Sequence, residues 1–324
     1  MRKSIVLGAA LIALALLVSS LLPLIQDYMR GEAEQDDGPI ENGNQQPENG
    51  ENAEPDGNVS STDRIRVAAF NVQIFGRTKR DKPEIMAALV NITRVFDVVL
   101  IQEIRDSSET TAPIFLEMIN EAEGPEYAFV RSPRLGRTSS KEAYAYFYNT
   151  ETVQFINGSD HVFNDEYDVF EREPYLASFR SGNFDFTLVG IHTKPDDATH
   201  EIGNLTVVVQ TTLDQTPDEE DIIVMGDFNA DGSYFDEDED LHPLRAPEYH
   251  WTVTNAQDTM TKTDWTYDRI VMTGATYGQE YVNDSTAVYY FDEILGITAE
   301  LTWNVSDHYP VYAEFYTGLP DDDG

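Results

Sequence analysis

The 324-residue chain has no cysteine and few basic residues. The absence of cysteine excludes disulfide bonds, lipid attachment through a cysteine, and cysteine-based zinc sites. Lysine and arginine number 21 against 59 aspartate and glutamate, so the formal net charge is −38. Hydrophobic residues make up 41% of the chain, which is enough for a full core despite this charge.

The acidic surface has two interpretations that the composition leaves open. It repels polyanions in dilute buffer, because charges act over roughly 10 Å at 0.1 M salt but only about 3 Å at 1 M. An acidic protein that binds nucleic acid therefore requires salt, metal ions or both. Alternatively, the acidic residues keep the protein soluble, as in proteins of extreme halophiles, and indicate nothing about a substrate.

The long apolar run of the chain lies at its N-terminus. Arg2 and Lys3 precede an apolar stretch from Ile5 to Ile25, which is the layout of an export signal and is also long enough to span a bilayer. We therefore expect residues 1–30 to be either a signal peptide or an uncleaved membrane anchor. In both cases the rest of the protein is secreted or tethered on the extracellular side of the membrane.

Composition divides the remaining chain into three parts. Residues 31–63 consist mostly of Glu, Asp, Asn, Gln, Gly and Pro, which predicts a disordered acidic linker. We expect one catalytic domain at residues 64–317 and an acidic tail at residues 318–324. No sequence feature indicates an obligate protein partner, so we expect a monomer.

The domain alternates short apolar runs with a few amphipathic segments. Helices are expected from Asp81, as N-cap, with Ile85, Leu89, Ile92 and Val95 on the apolar face, and near residues 112–122 and 201–213. Strand-like runs include "IRVAAFN", "DVVLI", "AYAYFYN", "FDFTLVGIH", "DIIVMGDFN" and "VYAEF". Many strands with interspersed helices predict an α/β sandwich of two packed sheets flanked by helices.

Polar residues recur where these apolar runs begin or end. If the strands pack side by side, these side chains converge on one rim, where loops on a rigid scaffold commonly carry catalytic groups. Carboxylate and amide oxygens suit Mg²⁺ or Ca²⁺, and two histidines with acidic partners supply a general base and a general acid. Together they predict metal-assisted hydrolysis of a phosphate ester. The residues are Asn71, Glu103, His192, Asp227, Asn229, Asp268, Asp307 and His308.

Eight ordered motifs between Ile65 and Phe315 resemble the endonuclease/exonuclease/phosphatase superfamily, and within it the deoxyribonuclease I branch. The resemblance implies a four-layered α/β sandwich with the active site between the sheet edges, and DNA as the substrate. The motifs are "AAFNVQIFG", "DVVLIQEIRDS", "GRTSSKEAYAYFY", "EREPYLASF", "IHTKPDDATHEI", "VMGDFNADGSY", "YDRIVMTG" and "SDHYPV".

The resemblance implies a role for each matching residue. Glu103, with Asn71 and Asp307, would hold a catalytic Mg²⁺ or Mn²⁺. His308, oriented by Asp268, would take a proton from the attacking water. His192, paired with Glu142, would protonate the leaving oxygen. The resemblance leaves open which histidine is the general acid and which is the base. The remaining implied roles are orientation of water and stabilisation of the transition state by Asp227 and Asn229, and substrate binding by Arg105 and Arg172.

Structural calcium is also implied by the resemblance. The stretch "DTMTKT" resembles a calcium loop of the family, with Asp258, Thr261 and Thr263 as ligands. Asp160, Asp168 and Glu173 fall where a second calcium site would lie.

The chain departs from the family pattern at several positions. Gly232 and Trp265 stand where the family has a disulfide, so packing and bound ions must stabilise this region. Ser140 replaces an aromatic residue that packs into the DNA minor groove, and Gln73 replaces a basic residue near the phosphates. These changes leave open the affinity of the protein for a DNA groove and any sequence preference.

Two other functions remain possible from sequence. One is a phosphodiesterase of the same superfamily that acts on a lipid head group or a small phosphate ester. The other is a non-catalytic surface binding protein, which predicts a broken site, whereas both pairs of histidine and carboxylate are present.

Overall fold

A computed structural model describes residues 64–138 and 140–320. The expected N-terminal signal or anchor, the acidic linker and the last four residues of the tail lie outside the described residues. Within the described part of the chain, no helix has the length and apolarity needed to cross a membrane.

The described residues form thirteen β-strands in two mixed sheets. Sheet I has six strands and sheet II has seven. The strands of sheet I are β1 (Arg64–Phe75), β2 (Val98–Ile104), β3 (Tyr127–Arg131), β4 (Ala143–Asn149), β12 (Ala287–Val288) and β13 (Val311–Tyr316). The strands of sheet II are β5 (Gln154–Phe155), β6 (His161–Val162), β7 (Tyr175–Ser181), β8 (Phe184–His192), β9 (Ile222–Asp227), β10 (Tyr249–Trp251) and β11 (Asp268–Thr273).

Each sheet contains one parallel pair at its centre. Sheet I has the order β12-β13-β1-β2-β4-β3, and β1 runs parallel to β2. Sheet II has the order β10-β11-β9-β8-β7-β5, with β6 also paired to β7, and β8 runs parallel to β9. The other pairs are antiparallel. The parallel pairs bring the ends of β1, β2, β8 and β9 to one rim.

Helices cover the outer faces of both sheets. Phe115 packs against Phe75 of β1 and Phe147 of β4, with ring centroids 5.3 and 5.2 Å away. The helices of the described residues are α1 (Arg77–Arg80), α2 (Pro83–Thr93), α3 (Thr111–Glu121), α4 (Ala198–Gln215), α5 (Gly274–Gly278), α6 (Phe291–Leu295) and α7 (Ala299–Val305), with 3₁₀ turns at Pro195–Asp197 and Pro243–Arg245. This confirms the predicted α/β sandwich of two packed sheets with flanking helices.

Alternation along the strands of sheet II separates its two faces. In β8, Phe186 and Leu188 belong to the core shared with sheet I, whereas Val189 and Ile191 pack with α4. Successive side chains of a strand point to opposite faces, so His192 continues the inner set. The same parity places Asp227 of β9 and Asp268 of β11 on the face towards sheet I.

The N-cap predicted for helix α2 was wrong by one residue. Lys82, not Asp81, is the N-cap of α2, and no side chain donates or accepts a capping bond there. Pro83 at the first helical position explains the shift, because its fixed φ suits that position and its missing N–H needs no partner. Ile85, Leu89 and Ile92 form the expected buried face, and Val95 lies beyond the helix end.

Gly226 allows β9 to approach β8 and β2 closely before Asp227. Its φ is +137°, and a Cβ there would meet the Ile191 carbonyl oxygen and lie 2.7 Å from Gln102 Nε2. We expect Gly226→Ala to lower the free energy of unfolding by about 3 kcal/mol, measured by urea denaturation. The control is Gly278→Ala, where nothing lies within 4 Å of the new Cβ and the expected change is under about 1 kcal/mol. Equal stability of the two variants would contradict the prediction.

Candidate active site

Three polar residues form a row across the rim end of sheet II. His192 pairs with Asp227 in the register of β8 and β9, and Asp227 pairs with Asp268 in that of β9 and β11. All three are buried and share the inner face. The row therefore lines one wall of the space between the two sheets.

The first imidazole is held by a carboxylate that precedes β4. His192 Nδ1 lies 2.7 Å from Glu142 Oε1, and Glu142 is completely buried. The Tyr144 hydroxyl accepts the backbone N–H of His192 at 3.1 Å. Since β4 belongs to sheet I, this pair joins the two sheets as well as orienting the ring.

The second imidazole is held in the same way from the start of β11. His308 Nδ1 lies 2.8 Å from Asp268 Oδ2. The Ser306 hydroxyl accepts the N–H of His308 and donates to the Asn71 carbonyl oxygen, at 3.1 and 2.6 Å. His308 therefore has one ring nitrogen on Asp268 and its backbone fixed to the end of β1.

The free ring nitrogens of both histidines converge on one carboxylate oxygen. Asp227 Oδ2 lies 3.3 Å from His192 Nε2 and 3.6 Å from His308 Nε2, and it accepts a hydrogen bond from Asn71 Nδ2 at 2.9 Å. Asn229 donates its backbone N–H to Asp227 Oδ1 at 2.9 Å. Two proton-carrying rings thus face one point from opposite sides.

Pairing with carboxylates favours protonated histidines in this site. Burial alone would lower the pKa of His308, but Asp268 and Asp227 outweigh it and raise the pKa to about 10. The pKa of His192 is raised by Glu142 and Asp227 against the same burial effect. Burial raises and His192 lowers the pKa of Glu142, and the attraction prevails, so this carboxyl stays ionised.

Oxygen-bearing side chains gather beside the histidines at the ends of β1 and β2. Asn71 Nδ2 lies 3.4 Å from Glu103 Oε1, and Glu103 Oε2 accepts the backbone N–H of Ile74 at 2.8 Å. Asp307 Oδ2 accepts a hydrogen bond from Gln73 Nε2 at 2.7 Å, so Gln73 orients this carboxylate. Ligand atoms of Glu103, Glu142 and His192 also approach within 4.8 Å of one another. Hard oxygen donors of this kind fit Mg²⁺ or Mn²⁺.

The backbone at this rim is held in unusual conformations. Gln73, Ile74, Glu103 and Asn229 have φ values of 39°, 53°, 58° and 48°. Non-glycine residues in this region cost of order 1–3 kcal/mol each and persist where the surroundings over-determine them. The grouping of these four residues at one rim indicates that the backbone is held there to position the side chains of the site.

A half-buried lysine holds the strained turn in place. Lys79 Nζ donates to the carbonyl oxygens of Val72, Gln73 and Val305 at 2.7, 2.6 and 2.8 Å. These bonds join the turn after Asn71 to the end of α7, which leads into Asp307. Burial lowers the pKa of Lys79 to about 8, although Asp307 and Glu103 oppose the shift. Sequence analysis missed this residue because nothing in "FGRTKR" distinguishes it from its basic neighbours.

Gln102 is the second residue that sequence analysis left without a role. Its Nε2 donates to the Ile191 carbonyl oxygen at 2.6 Å, and its Oε1 accepts the Asp227 N–H at 3.0 Å. One side chain of β2 thereby bonds to both central strands of sheet II. An amide directly after the apolar run "VVLI" was the available signal, because a buried amide requires partners.

The two arginines expected to bind substrate lie at different depths. Arg105 is partly exposed at the rim, and its guanidinium lies 3.1 Å from Glu103 Oε2 and 3.3 Å from Glu142 Oε2. Arg172 is buried, and it donates to the carbonyl oxygens of His192 and Thr193 at 2.9 and 2.8 Å. Arg172 therefore supports the end of the strand that carries His192, and its expected contact with the substrate stays a prediction.

The first expected calcium loop lies directly against the catalytic segments. Asp258 Oδ1 accepts the backbone N–H of Met260 at 2.9 Å, and burial raises the pKa of Asp258. The hydroxyl of Thr261 donates to the Ser306 carbonyl oxygen at 3.2 Å, and Thr263 is exposed. The loop offers oxygens to an ion, and its role as a calcium site stays a prediction.

Two residues of the second expected calcium site have other partners. Asp160 Oδ2 accepts the Tyr175 hydroxyl at 2.8 Å, and Asp168 Oδ2 lies 3.4 Å from Arg137. In the part of the chain that the structure describes, two clusters of His, Asp and Glu have a ligand geometry, and Asp160, Asp168 and Glu173 belong to neither. The second calcium site therefore stays a prediction.

Comparison with known proteins gives a family and close relatives. Residues 68–308 match the Endonuclease/Exonuclease/phosphatase family. The chain is 34% identical to deoxyribonuclease-1 of Bos taurus over 259 residues, which covers 76% of this chain and 90% of the relative. It is 34% identical to human deoxyribonuclease gamma over 264 residues, covering 78% and 86%. With deoxyribonuclease-1-like 1 of Chlorocebus aethiops it shares 36% over 265 residues, covering 79% and 86%.

Solved structures share the architecture at low sequence identity. A humanized D. rerio TDP2 aligns with a TM-score of 0.56 and 15% identity, covering 79% of this chain and 100% of that one. The endonuclease/exonuclease/phosphatase from Bacteroides vulgatus aligns with a TM-score of 0.55 and 13% identity, covering 78% and 98%. These neighbours support the sandwich fold.

Removal of the Gln102 amide should loosen the junction of the two sheets. Gln102→Leu keeps a similar volume but leaves the buried Ile191 carbonyl and Asp227 N–H without partners. We expect a loss of about 2–4 kcal/mol in the free energy of unfolding, measured by urea denaturation. In the control Gln210→Leu, only an exposed bond to Asp214 disappears, and the expected change is under about 0.5 kcal/mol. A Gln102 variant as stable as this control would refute the role of the amide.

The raised pKa of His308 predicts a pH-dependent stability. The ring has an ordinary pKa of 6.5 and about 10 in the folded protein, so the folded state binds more protons between these values. The stabilisation is complete below about pH 6.5 and is lost as the pH rises towards about 10. Urea denaturation in chelator should show the wild-type advantage over His308→Gln shrinking across this range. A difference that stays constant with pH would contradict the assignment.

Proposed function

Because the chain belongs to the endonuclease/exonuclease/phosphatase family, we propose that it is an exported, divalent-metal-dependent endonuclease that hydrolyses phosphodiester bonds of DNA. The observation that carries the proposal is the convergence of two carboxylate-held imidazoles on Asp227, beside a group of oxygen ligands. The deoxyribonuclease relatives support DNA as the substrate. The apolar N-terminal run supports export and leaves secretion or tethering to the membrane as alternatives.

Glu103, Asn71 and Asp307 are the proposed ligands of the catalytic Mg²⁺ or Mn²⁺. Asn71 and Glu103 lie on two parallel neighbouring strands, where the register of β1 and β2 shifts, and Gln73 donates a hydrogen bond to Asp307 from the adjoining turn. The bound cation supplies charge that neutralises the phosphate and polarises its oxygens. Lys79 contributes by fixing the turn that separates these ligands.

The two histidines are the proposed proton carriers. His308 Nε2 accepts the proton of the attacking water from the neutral form of the ring, and Asp268 holds Nδ1 and stabilises the charged ring that results. A cation bound beside Asp307 would favour this neutral form, which the carboxylates disfavour in the metal-free site. His192 Nε2 donates a proton to the leaving oxygen, while Glu142 holds its Nδ1. The geometry is nearly symmetric about Asp227, so the opposite assignment of acid and base uses the same contacts.

Asp227 and Asn229 orient the water and stabilise the transition state in this proposal. Asp227 is the common neighbour of both rings, and Asn229 bonds to it and, through Nδ2, to the Thr193 carbonyl oxygen at 3.2 Å. Arg105 is the proposed phosphate contact, because its partly exposed guanidinium lies at the rim. Arg172 is a positioning residue that holds the His192 strand end.

Cleavage of supercoiled plasmid tests the proposed reaction. The protein should nick and linearise the plasmid with Mg²⁺ and should be inactive in chelator. His192→Ala and His308→Ala should each reduce the rate at least about 100-fold, because each removes one proton carrier. His200→Ala is a matched control, since His200 is exposed on α4 and should leave the rate unchanged. Full activity of either catalytic variant would refute the mechanism.

The acidic surface predicts how this reaction depends on salt. At low ionic strength the net charge of −38 repels the DNA, and molar salt reduces the range of this repulsion to about 3 Å. We expect the plasmid to be cleaved faster at about 1 M than at about 0.1 M KCl, with Mg²⁺ held constant. Faster cleavage at the lower KCl concentration would show that attraction of the DNA by the rim residues outweighs repulsion by the net charge.

A further inference from the structure

Two exposed indoles lie at one loop beside the catalytic residues. The loop runs from Asp258 to Trp265, and Trp265 is 41% exposed. Trp303 of α7 is 45% exposed and donates its Nε1–H to the Thr261 carbonyl oxygen of the loop at 3.3 Å. The chain contains only three tryptophans, so two of the three meet water at this place.

The loop is bonded to the segments that carry the catalytic groups. The Thr259 hydroxyl accepts the backbone N–H groups of Tyr267 and Asp268 at 3.0 and 3.2 Å. The Thr261 N–H donates to the Asp307 carbonyl oxygen at 2.8 Å. A group bound on this loop is therefore held at a set distance from the Asp268 and His308 pair.

Trp265 is supported from below by its neighbours. A Cβ at Gly232 would lie 3.5 Å from the indole, which is an ordinary packing distance, so the backbone of Gly232 lies against one side of the ring. The Trp265 ring centroid is 5.2 Å from that of Tyr267, whose own ring is 6.4 Å from His308. A continuous aromatic path thus leads from the catalytic imidazole to an indole at the surface.

Lys262 supplies a positive charge at the same place. Its Nζ lies 5.0 Å from the centroid of the Trp303 ring. Only three of the 21 lysines and arginines follow residue 195, namely Arg245, Lys262 and Arg269. Arg245 and Arg269 face Trp251, at 4.1 and 5.5 Å, and Arg269 also pairs with Glu237. Lys262 is the exposed member of the three.

We propose that Lys262, Trp265 and Trp303 form a subsite for an unpaired nucleobase and its phosphate next to the scissile bond. An indole stacks on the face of a base, and the ammonium group contacts the backbone phosphate. Bases inside a duplex already stack on both faces, so the subsite favours single-stranded or locally opened DNA. The three residues lie close together, because Lys262 lies over the Trp303 ring and precedes Trp265 by three positions, at most about 11 Å of chain. The subsite rests on the proposed nuclease function, which gives the strand its place in the cleft.

Binding of a short oligodeoxythymidylate to the inactive His192→Ala protein in chelator tests the subsite. Binding should quench tryptophan fluorescence, and Trp265→Leu and Trp303→Leu should each raise Kd about fivefold or more, as expected for loss of one stacked base. Trp265→Phe and Trp303→Phe should retain most of the affinity, because phenylalanine still stacks. Lys262→Gln should raise Kd and reduce its dependence on salt.

Tyr277→Leu is the matched control. Tyr277 is 37% exposed and stacks on His250, which pairs with Met272 near the end of β11 opposite to Asp268. Its replacement should leave Kd unchanged. Near-UV circular dichroism and urea denaturation establish that each variant is folded.

The outcomes separate the subsite from the nuclease function. Leucine variants that are folded and bind the oligonucleotide like their parent would overturn the subsite, as would variants in which phenylalanine fails to restore affinity. If the leucine variants bind normally and the parent enzyme cleaves plasmid, only the subsite is refuted and the nuclease function stands. A parent that binds through the indoles but cleaves no DNA refutes the nuclease function instead. In the active enzyme, the ratio of single-strand to duplex cleavage should fall in both leucine variants.

Discussion

The two hydrogen bonds of the Gln102 amide are the contact on which the site depends. Apolar packing holds the two sheets together but specifies their relative position only loosely, because it is not directional. Gln102 extends from the centre of sheet I and bonds to the Ile191 carbonyl and the Asp227 N–H in sheet II. It thereby fixes the distance between the oxygen ligands on β1 and β2 and the row of His192, Asp227 and Asp268. A buried amide with both ends bonded provides direction where the surrounding side chains provide only attraction.

Around this junction, buried charges are balanced in pairs. A lone buried carboxylate would be costly, but Glu142 and Asp268 each face an imidazole, and Asp227 faces two. Lys79 donates to backbone carbonyl oxygens, and Arg172 donates to those of His192 and Thr193 and also lies 3.5 Å from Glu142 Oε1. The strained turn at Gln73 persists because Lys79 bonds to its carbonyl oxygen, and the left-handed Glu103 is held by the Ile74 N–H and by Arg105. The candidate site therefore consists of backbone segments held in place by these bonds, together with the reactive groups that they position.

Much of the fold and the site was predictable from sequence. Alternation in "FDFTLVGIH" matched β8, and "AYAYFYN" matched β4, in both cases with the observed bounds. His192, Asp227 and Asp268 were recognisable because each polar residue interrupts an apolar run at its end. The positions of Arg172 and Lys79 were not recognisable, because an arginine in "REP" and a lysine in "RTKR" look alike whether they face solvent or carbonyl oxygens. The start of α2 was misplaced because Asp81 has the chemistry of an N-cap without its geometry.

The sequence by itself determined the family, the order of the strands along the chain and the residue types at their ends. Those features depend on local periodicity and composition, which each segment carries on its own. Only the tertiary structure decided which polar atoms meet. The bond between Asn71 and Asp227 joins residues 156 positions apart, and the bond between Ser306 and Asn71 joins residues 235 positions apart. Such contacts follow from sheet register and from the packing of one sheet on the other. Local periodicity specifies which face a side chain takes, but it does not specify what the opposite sheet places before that face.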